Sequence, residues 1–415
     1  MDAEAQGERE AALELLSAAS VRSRARQVLE AGYAGVLDHF AVVPAALGAI
    51  ADRVATITRE TYPDLDVPLH SRWRHFAAGG ADRWAVLAGA AEWPDAAARA
   101  RAAFDLVTVS VLLDAGAGGA WSYREPATGR HYDRSEGLAV ASFDMFVDGV
   151  FSADPQNALR ADAAMLTALT ADRLGQGFQA STANPLIGLD GRATLLMRLG
   201  QAVTAQPEIF ALADTPRPGG LYDWLVREAR DGALPAEAVL KAVLFYLGPV
   251  WPGRMELGGV ALGDTWYHPA VHAADASNGL MPLHKLSQWL TYSLVEPLEA
   301  AGIRVTDLDA LTGLAEYRNG GLLVDGGALR PKDPDVLGHV HDPDSELVIE
   351  WRALTVALLD ELAPLVRERL GVTPEDFPLA KILQGGTWAA GRRLARKLRP
   401  DGGPPFAVSS DGTLF

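Results

Sequence analysis

The stretch "ELVIEWRALTVALLDELAPLVRERL", residues 346–370, decides the fold class. Its apolar residues recur every three or four positions, which is the period of an α-helix that buries one face. The same period runs along most of the chain, in segments dominated by Ala, Leu, Glu and Arg. Helices are predicted for residues 8–31, 97–113, 136–151, 159–174, 192–203, 222–232, 236–247, 284–301, 306–319, 346–370 and 378–397. The sequence therefore predicts a mainly α-helical protein.

Strand-like segments are few and short, and "PPFAVSSDGTLF" at residues 404–415 has the pattern of a small β-hairpin. Turn signals such as "TPRPGG" separate the helices. No repeat and no low-complexity linker divides the chain. We expect one large helical domain over residues 1–415. Its N-terminal helical part covers about residues 1–115, the site-bearing part about 116–400, and an extended tail 401–415.

The composition excludes several classes of protein. The chain has 415 residues, of which 49% are hydrophobic, so it can bury a sizeable core and is not globally disordered. It has no cysteine, which excludes disulfides and thiolate chemistry. Its formal net charge of −16 argues against nonspecific nucleic-acid binding. Because neither a signal peptide nor a long apolar span is evident, we expect a cytoplasmic protein that does not bind membranes.

Motifs of several enzyme classes are absent from the sequence. There is no GxSxG elbow, Walker A loop, HExxH motif or complete GxGxxG motif. Two histidine pairs have spacings that could serve a metal ion: His268 with His272, and His339 with His341. However, Pro269 interrupts the first pair and no HExxH-type acid accompanies them. We therefore expect no metal and no other cofactor.

A group of polar residues ends the helix predicted over residues 306–319. The stretch "AEYRNGG", residues 315–321, places Glu316, Tyr317, Arg318 and Asn319 in a row before two glycines. Glu316 lies off the apolar face, so we expect it to point to water or into a cleft. Asn319 and Gly320 are typical of a helix C-terminus. Two interpretations remain open: a solvated helix end, or a carboxylate held beside Tyr317 and Arg318 at a pocket.

The preceding helix, residues 284–302, carries polar residues along one side. Lys285, Gln288, Tyr292, Glu296 and Glu299 recur at spacings of three and four, opposite an apolar stripe. They form either a solvated face or a surface that binds a ligand. His284, which precedes the stripe, is a further candidate for substrate binding.

Two earlier segments concentrate cationic and aromatic residues. In "HSRWRHFAAGGADRW", residues 70–84, Arg72, Arg74 and His75 are candidates for binding an anion, since guanidinium groups match phosphate geometry. The alternative is stacking of arginine on tryptophan. Trp121 and Tyr123 either wall a small-molecule pocket or belong to the core. Two glycines in "QGGTWAAGRR", residues 384–393, precede a predicted helix start, where backbone N–H groups can hold an anion.

Eight stretches distributed along the chain carry a resemblance to a known family. They are "SVRSRARQVLEAG", "HSRWRHFAAGG", "LDAGAGGAWSYRE", "HKLSQWLTYSLVEPL", "AEYRNGGLLVD", "EWRALTVALLDEL", "LQGGTWAAGR" and "SSDGTLF". Together they resemble the uracil-catabolism family of the URC pathway, which occurs in fungi and bacteria. The resemblance covers nearly the whole chain. It implies a role in degrading uracil through ribosylated urea rather than dihydrouracil.

A second resemblance concerns the mechanism. The stretches "NPLIGLDGRATLLMRLG", "HKLSQWLTYSLVE", "LAEYRNG" and "EWRALTVALL" are similar in order and spacing to the queuosine salvage glycosidases. Those are helical enzymes with a DNA-glycosylase-like fold that cut an N-ribosidic bond. Their Asp-Tyr-Arg motif matches Glu316, Tyr317 and Arg318, whereas another of their acids falls at Ser293 here. This departure implies a different base or a different division of roles among the acids.

The resemblances imply a hydrolase that cuts an N-ribosidic bond of a ribosylurea or a uridine-derived nucleotide. Glu316 would act near C1′, with Tyr317 and Arg318 beside it. The remaining candidates divide by role. Tyr292, Gln288 and Asn319 would bind the urea or base, and Arg72, Arg74, His75 and Lys285 a 5′-phosphate. Two alternatives stay open: a metal-dependent hydrolase of a ureido intermediate, and a non-catalytic protein that binds and channels one.

Overall fold

A computed structural model describes residues 3–251 and 255–409, and helices dominate it. The helices are α1 (Ala3–Leu15), α2 (Ala18–Tyr33), α3 (Leu47–Thr61), α4 (Trp73–Phe76), α5 (Arg83–Ala90), α6 (Ala96–Leu112), α7 (Arg134–Val147), α8 (Ala163–Ala168), α9 (Ala171–Gly177), α10 (Leu189–Thr204), α11 (Pro207–Phe210), α12 (Gly220–Glu228), α13 (Ala236–Tyr246), α14 (Lys285–Ala300), α15 (Tyr317–Asp325), α16 (Glu346–Leu370), α17 (Leu379–Ile382) and α18 (Trp388–Leu398). The prediction of a mainly α-helical protein is confirmed.

The strands are short and pair two by two. They are β1 (Phe40–Val42), β2 (Ser122–Arg124), β3 (His131–Asp133), β4 (Ala233–Pro235), β5 (Glu256–Leu257), β6 (Val260–Ala261), β7 (Thr265–Tyr267), β8 (Leu280–Pro282), β9 (Arg304–Thr306), β10 (Leu329–Pro331), β11 (Val340–His341) and β12 (Ala407–Val408). Strands β1–β10, β2–β3, β5–β6 and β7–β8 pair antiparallel, and β4–β9 and β11–β12 pair parallel. In the described residues no strand pair extends into a larger sheet.

Helix α16 has the bounds that its sequence predicts. Ser345 precedes it in an extended conformation, and Gly371 ends it with a φ of 71°, a left-handed conformation that glycine adopts without strain. The Gly371 N–H donates to Arg367 O at 2.8 Å, which satisfies one of the free carbonyl groups at the helix end. Most side chains from Leu347 to Leu359 are buried, so α16 is a central helix rather than a surface one.

The chain divides into two compact units, each assembled from separate segments. The first unit consists of residues 3–70, 255–288 and 307–409 among those described. Within it α16 packs against α2, α3 and α15, and α15 also packs against α18. This unit contains the strand pairs β1–β10, β5–β6, β7–β8 and β11–β12.

The second unit consists of residues 71–251 and 289–306 among those described. Helix α6 packs against α7 and α12, and α10 packs against α8 and α9. The unit also contains the strand pairs β2–β3 and β4–β9. The organisation into a single domain, with parts divided near residues 115 and 400, stays a prediction.

The segment before α15 differs from its prediction. No helix spans residues 306–319; Leu308–Ala310 forms a 3₁₀ turn, and α15 begins only at Tyr317. Gly320 lies inside α15 rather than at a helix end. A Cβ at this position would lie 2.5 Å from Trp351 Cε2 on α16. The glycine therefore serves close packing, and the residues taken for a helix C-terminus form an N-terminus.

One smaller expectation for the C-terminal part is wrong, and another falls largely outside the described residues. The stretch Leu383–Thr387 forms a π-helical turn that continues directly into α18, so its two glycines do not precede a helix start. In the described part of the tail, β12 pairs in parallel with β11 and not with its neighbouring residues. The rest of the expected hairpin, residues 410–415, lies outside the described residues. None of the described helices is long and apolar enough to cross a membrane.

Candidate active site

Glu316 is the N-cap residue of α15 in the first unit. Its backbone is extended, with φ −125° and ψ 164°, and its side chain turns back onto the first turn of the helix. One carboxylate oxygen accepts from Arg318 N at 2.7 Å and the other from Asn319 N at 2.6 Å. These two N–H groups have no partner within the helix, so the carboxylate satisfies them and is held in one position.

Burial sets the protonation behaviour of Glu316. The residue is 7% exposed, so the expectation that it points to water is wrong. Desolvation raises the pKa of its carboxyl group. The two backbone hydrogen bonds and the charges of Lys285 and Arg318 act in the opposite direction but do not cancel this effect. Glu316 is therefore a carboxyl group whose pKa is shifted toward neutral pH, as required of an acid or base in catalysis.

The residues that follow Glu316 contribute in different ways. Arg318 Nη1 donates to Gly402 O at 2.9 Å, and the guanidinium group lies 4.9 Å from the ring centre of Tyr317. Arg318 thus contacts Glu316 through its backbone N–H group. Asn319 is 1% exposed; its side-chain N–H donates weakly to Leu314 O at 3.4 Å. Within the described residues, Asn319 Oδ1 is a buried acceptor without a hydrogen-bond donor.

The side chain of Gln288 fixes the segment before α15. Its Oε1 accepts from Thr312 N at 3.0 Å, and its Nε2 donates to Thr312 Oγ1. Gln288 is 1% exposed, so the interpretation of this position as part of a solvated face is wrong. Both polar atoms of the amide have partners in the protein, and they hold Thr312 within residues 311–315, which belong to no helix or strand.

A buried ion pair, whose two residues are not among the predicted site residues, supports the same region. Both terminal nitrogens of Arg352 donate to Asp264 at 2.8 Å, and Arg352 Nε donates to Ala315 O at 3.3 Å. Lys285 N donates to Asp264 Oδ2 at 3.0 Å. The pair thus connects the start of α14, the start of β7 and the residue before Glu316. The only sequence signal for it is "EWR" at the start of the long helix.

His284 precedes α14 and is 2% exposed. Its Nε2 donates to Leu15 O at 2.9 Å, since a carbonyl oxygen only accepts. Burial lowers the pKa of His284, which favours the neutral ring. Lys285 is only partly buried, and its positive charge acts to lower the pKa of Glu316.

Of the four predicted phosphate-binding residues, Lys285 lies in the first unit, whereas Arg72, Arg74 and His75 lie in the second unit. There Arg72 and Arg74 each form an ion pair with an acidic side chain. Arg72 is fully buried; its Nη1 lies 2.8 Å from Asp114 Oδ1 and its Nε donates to Ser110 Oγ at 2.7 Å. Its guanidinium group also lies 5.6 Å from the ring of Trp289. Burial lowers the pKa of Arg72, and Asp114 counteracts this. Ser293 Oγ accepts from Arg72 N at 3.0 Å. Ser293, which stands where the queuosine salvage glycosidases are expected to have an acid, therefore holds the backbone at Arg72.

Arg74 and His75 complete the cationic segment. Arg74 forms an ion pair with Glu296, and both side chains are 30% exposed. Arg74 and Glu296 line a cavity of about 210 Å³, together with Trp73, Trp84, Arg99 and neighbouring residues. The His75 ring lies 5.7 Å from Trp289 in an edge-on arrangement. The phosphate-binding role of Arg72, Arg74 and His75 stays a prediction.

The aromatic candidates of the second unit are all buried. Trp121 donates through Nε1 to Phe178 O at 3.0 Å, and Tyr123 donates to Asp144 at 2.7 Å. Burial and Asp144 raise the pKa of Tyr123. Tyr292 is 0% exposed. The structure therefore places Glu316, Asn319, Gln288, His284 and Lys285 in one unit, and Tyr292, Trp121 and Tyr123 in the other.

Comparison with known sequences decides the family. The model of the family described as "Protein of unknown function (DUF1688)" matches residues 14–415. The chain belongs to this family. Two of its relatives carry names. "Protein urg3" of Schizosaccharomyces pombe is 38% identical over 414 residues, which cover 98% of this chain and 99% of the relative. "Uracil catabolism protein 4" of Lachancea kluyveri is 36% identical over 437 residues, which cover 96% and 98%.

The comparisons confirm the resemblance to the uracil-catabolism family that the sequence motifs indicate. The alignment to these DUF1688 relatives covers almost the whole of each chain, so it includes both units and the Glu316 segment. The family assignment therefore concerns the complete site-bearing part of the molecule and not a shared module.

Proposed function

We propose that this chain takes part in uracil catabolism as an N-ribosidic hydrolase that releases urea from ribosylurea or its 5′-phosphate. The relative Uracil catabolism protein 4 of Lachancea kluyveri supports the assignment to this pathway. The buried, fixed carboxyl group of Glu316 carries the proposal for the reaction, because cleavage of a ribosidic bond needs a negative charge near C1′.

The proposed reaction breaks one bond and forms another. Water attacks C1′ and the C1′–N bond breaks, with its electron pair leaving on the urea nitrogen. The water oxygen becomes the hydroxyl group on C1′, and the urea nitrogen takes up a proton. The products are urea and ribose, or ribose 5-phosphate. Positive charge develops on the sugar ring in the transition state, and an anionic group beside C1′ stabilises it.

Glu316 has the properties that this step requires. Each carboxylate oxygen has about two acceptor positions, of which the backbone of α15 occupies one. The remaining positions are available for the attacking water or the sugar. Because burial raises its pKa, the carboxylate accepts a proton from water more readily than an exposed glutamate does.

Asn319 supports recognition of the urea group. Its Oδ1 is buried without a donor in the described residues, one helical turn from the cap position of Glu316. A urea N–H group would supply that donor. A buried acceptor that is satisfied only by the substrate rejects analogues that lack the N–H group, since they leave the acceptor unpaired.

The test replaces Glu316 by glutamine. Glu316→Gln keeps one oxygen that accepts a backbone N–H, but its amide nitrogen cannot accept from the second backbone donor, so it should destabilise the fold by about 1–3 kcal/mol. It removes the negative charge and should lower kcat by roughly 10²- to 10⁴-fold. The matched control is Asp95→Asn, which makes the same charge change at an exposed helix N-cap, where Asp95 Oδ1 accepts from Ala98 N at 2.6 Å.

Urea release from the substrate is measured for both variants, and circular dichroism checks the fold. The proposal expects a folded, inactive Glu316→Gln protein and a fully active Asp95→Asn protein. A folded Glu316→Gln variant with normal turnover would show that Glu316 is only a helix cap.

A further inference from the structure

A second group of ionisable side chains, two of them buried, lies at the start of α16 in the first unit. Glu346 and Glu350 are one helical turn apart, so they face the same side of α16. His268 directly follows β7. One ligand atom from each of the three residues lies within 4.8 Å of those of the other two. None of them has a role in the reaction proposed for Glu316.

Two atoms of this cluster have no hydrogen-bond partner in the residues that the structure describes. They are His268 Nε2 and Glu350 Oε2, on side chains that are 1% and 0% exposed. A buried carboxylate oxygen without a donor is energetically costly. The two atoms lie 3.7 Å apart, which is too far for a hydrogen bond. Two ligands of one Zn²⁺ ion, each about 2.1 Å from it, lie about 3.4 Å apart, so a cation fits between them.

The surroundings of the cluster orient its ligand atoms. Phe40 N donates to Glu350 Oε1 at 2.7 Å, which leaves Oε2 directed toward His268. His39 Nε2 lies 3.8 Å from Glu346 Oε1, so His39 lies beside the cluster on the side of Glu346. The side chains of His39 and Glu346 are 31% and 39% exposed, and this side gives an ion access from solvent.

Binding requires one rearrangement. Ala270 N donates to His268 Nδ1 at 3.2 Å, which places the ring proton on Nε2. A metal ion at Nε2 requires the proton to move to Nδ1, and the contact with Ala270 is then lost. Pro269 is exposed and Ala270 partly exposed, so water can take over the freed N–H group.

We propose that His268, Glu346 and Glu350 bind a divalent transition-metal ion such as Zn²⁺, with water in the remaining ligand position. Imidazole and carboxylate ligands suit Zn²⁺ and its neighbours rather than Mg²⁺ or Ca²⁺. The ion would join α16 and the end of β7 within the first unit. This site is separate from the reaction proposed above, and its test does not depend on turnover.

The experiment is metal analysis and Co²⁺ titration of the full chain. The purified protein should contain about one transition-metal ion per chain after gel filtration. Metal-free protein should bind Co²⁺ with visible absorption bands of nitrogen and oxygen ligation, and gain thermal stability. His268→Ala and Glu350→Gln should weaken Co²⁺ binding by at least about tenfold. Glu350→Gln retains the acceptor for Phe40 N, which helps the variant to fold.

His272→Ala is the matched control, because His272 is an exposed histidine four residues from His268. Its affinity for Co²⁺ should equal that of the wild type. The proposal is overturned if metal-free wild-type protein shows neither Co²⁺ absorption nor a stability gain with Zn²⁺, Mn²⁺ or Co²⁺. It is equally overturned if His272→Ala loses binding as much as His268→Ala. If the ligand variants do not fold, the wild-type titration alone decides.

Discussion

At the scale of single residues, Glu316 is a helix cap for which we also propose a catalytic role. It caps α15 through two backbone hydrogen bonds, and it is buried without becoming part of a side-chain ion pair in the described residues. A cap in water needs no burial. The burial therefore supports the proposed catalytic role.

The raised pKa of Glu316 predicts the pH dependence of the reaction. The carboxylate form is the active one, so kcat/KM should fall as the pH decreases through the pKa of Glu316. Because burial raises that pKa, the acid limb should lie above the ordinary glutamate value of about 4.3. The pH–rate profile of urea release measures this. An acid limb at or below the ordinary value would contradict the account.

The Asp264–Arg352 pair predicts a second pH effect, on stability. Arg352 holds the pKa of Asp264 well below its usual range, although burial opposes this. The stabilisation is thus present above the unfolded pKa of about 3.9 and is lost as the pH falls below it. Asp264→Asn should cost about 3 to 5 kcal/mol at pH 7, because it leaves Arg352 buried without its charge partner.

Chemical denaturation at several pH values measures this effect. The difference in free energy of unfolding between wild type and Asp264→Asn should be constant from about pH 5 to pH 8 and shrink below about pH 4. The control Asp52→Asn removes an ion pair with Arg369 in which the Asp52 side chain is 68% exposed, and should cost less than about 1 kcal/mol. Equal costs for the two variants would mean that the buried pair does not hold this region together.

At the scale of secondary-structure elements, long helices are predictable and the site-bearing segment is not. The period of apolar residues in 346–370 defines α16 by itself, because every turn repeats the same burial. The N-terminus of α15 depends on distant partners instead. Gln288 binds Thr312, Arg352 binds Ala315 O, and Trp351 requires glycine at position 320. No local pattern contains these contacts, so the asparagine and the two glycines by themselves predict a helix C-terminus where the structure has an N-terminus.

The packing of α15 on α16 predicts a large effect of one methyl group. In Gly320→Ala the new Cβ would lie 2.5 Å from Trp351 Cε2, and Trp351 is 1% exposed. Overpacking of this kind costs about 1–3 kcal/mol. It should also lower turnover if α15 shifts to relieve the clash, because Gly320 N donates to Glu316 O at 3.0 Å and a shift of the helix moves Glu316.

The control for this variant is Gly89→Ala on α5, where a Cβ meets no atom within 4 Å. Alanine is the better helix former, so the free energy of unfolding of this control should increase by about 0.5–1 kcal/mol. Urea denaturation of both variants gives the comparison. A neutral Gly320→Ala variant would mean that α15 shifts freely on α16.

At the scale of the whole molecule, each unit is assembled from segments that are distant in sequence. Helices α2 and α3 pack against α16, about 300 residues later in the chain. A sequence pattern shows which faces are apolar but not which distant helix covers them. The mainly helical class was therefore predictable, whereas the discontinuous make-up of the units was not.

This organisation predicts that residues 1–115 do not fold alone. Without α16, the apolar faces of α2 and α3 lose the long helix against which they mainly pack. Isolated helices of this length are marginally stable in water. Circular dichroism of the fragment should show no cooperative thermal transition, whereas the full chain should show one. A cooperative transition in the fragment would establish an independent N-terminal domain.

The central claim concerns the reaction of the whole protein. Purified wild-type protein is incubated with ribosylurea and, separately, with ribosylurea 5′-phosphate, and released urea is quantified. The account predicts urea and an equal amount of ribose or ribose 5-phosphate from one of the two substrates. The absence of urea from both, with protein that is folded and metal-replete, would contradict the proposed N-ribosidic hydrolase.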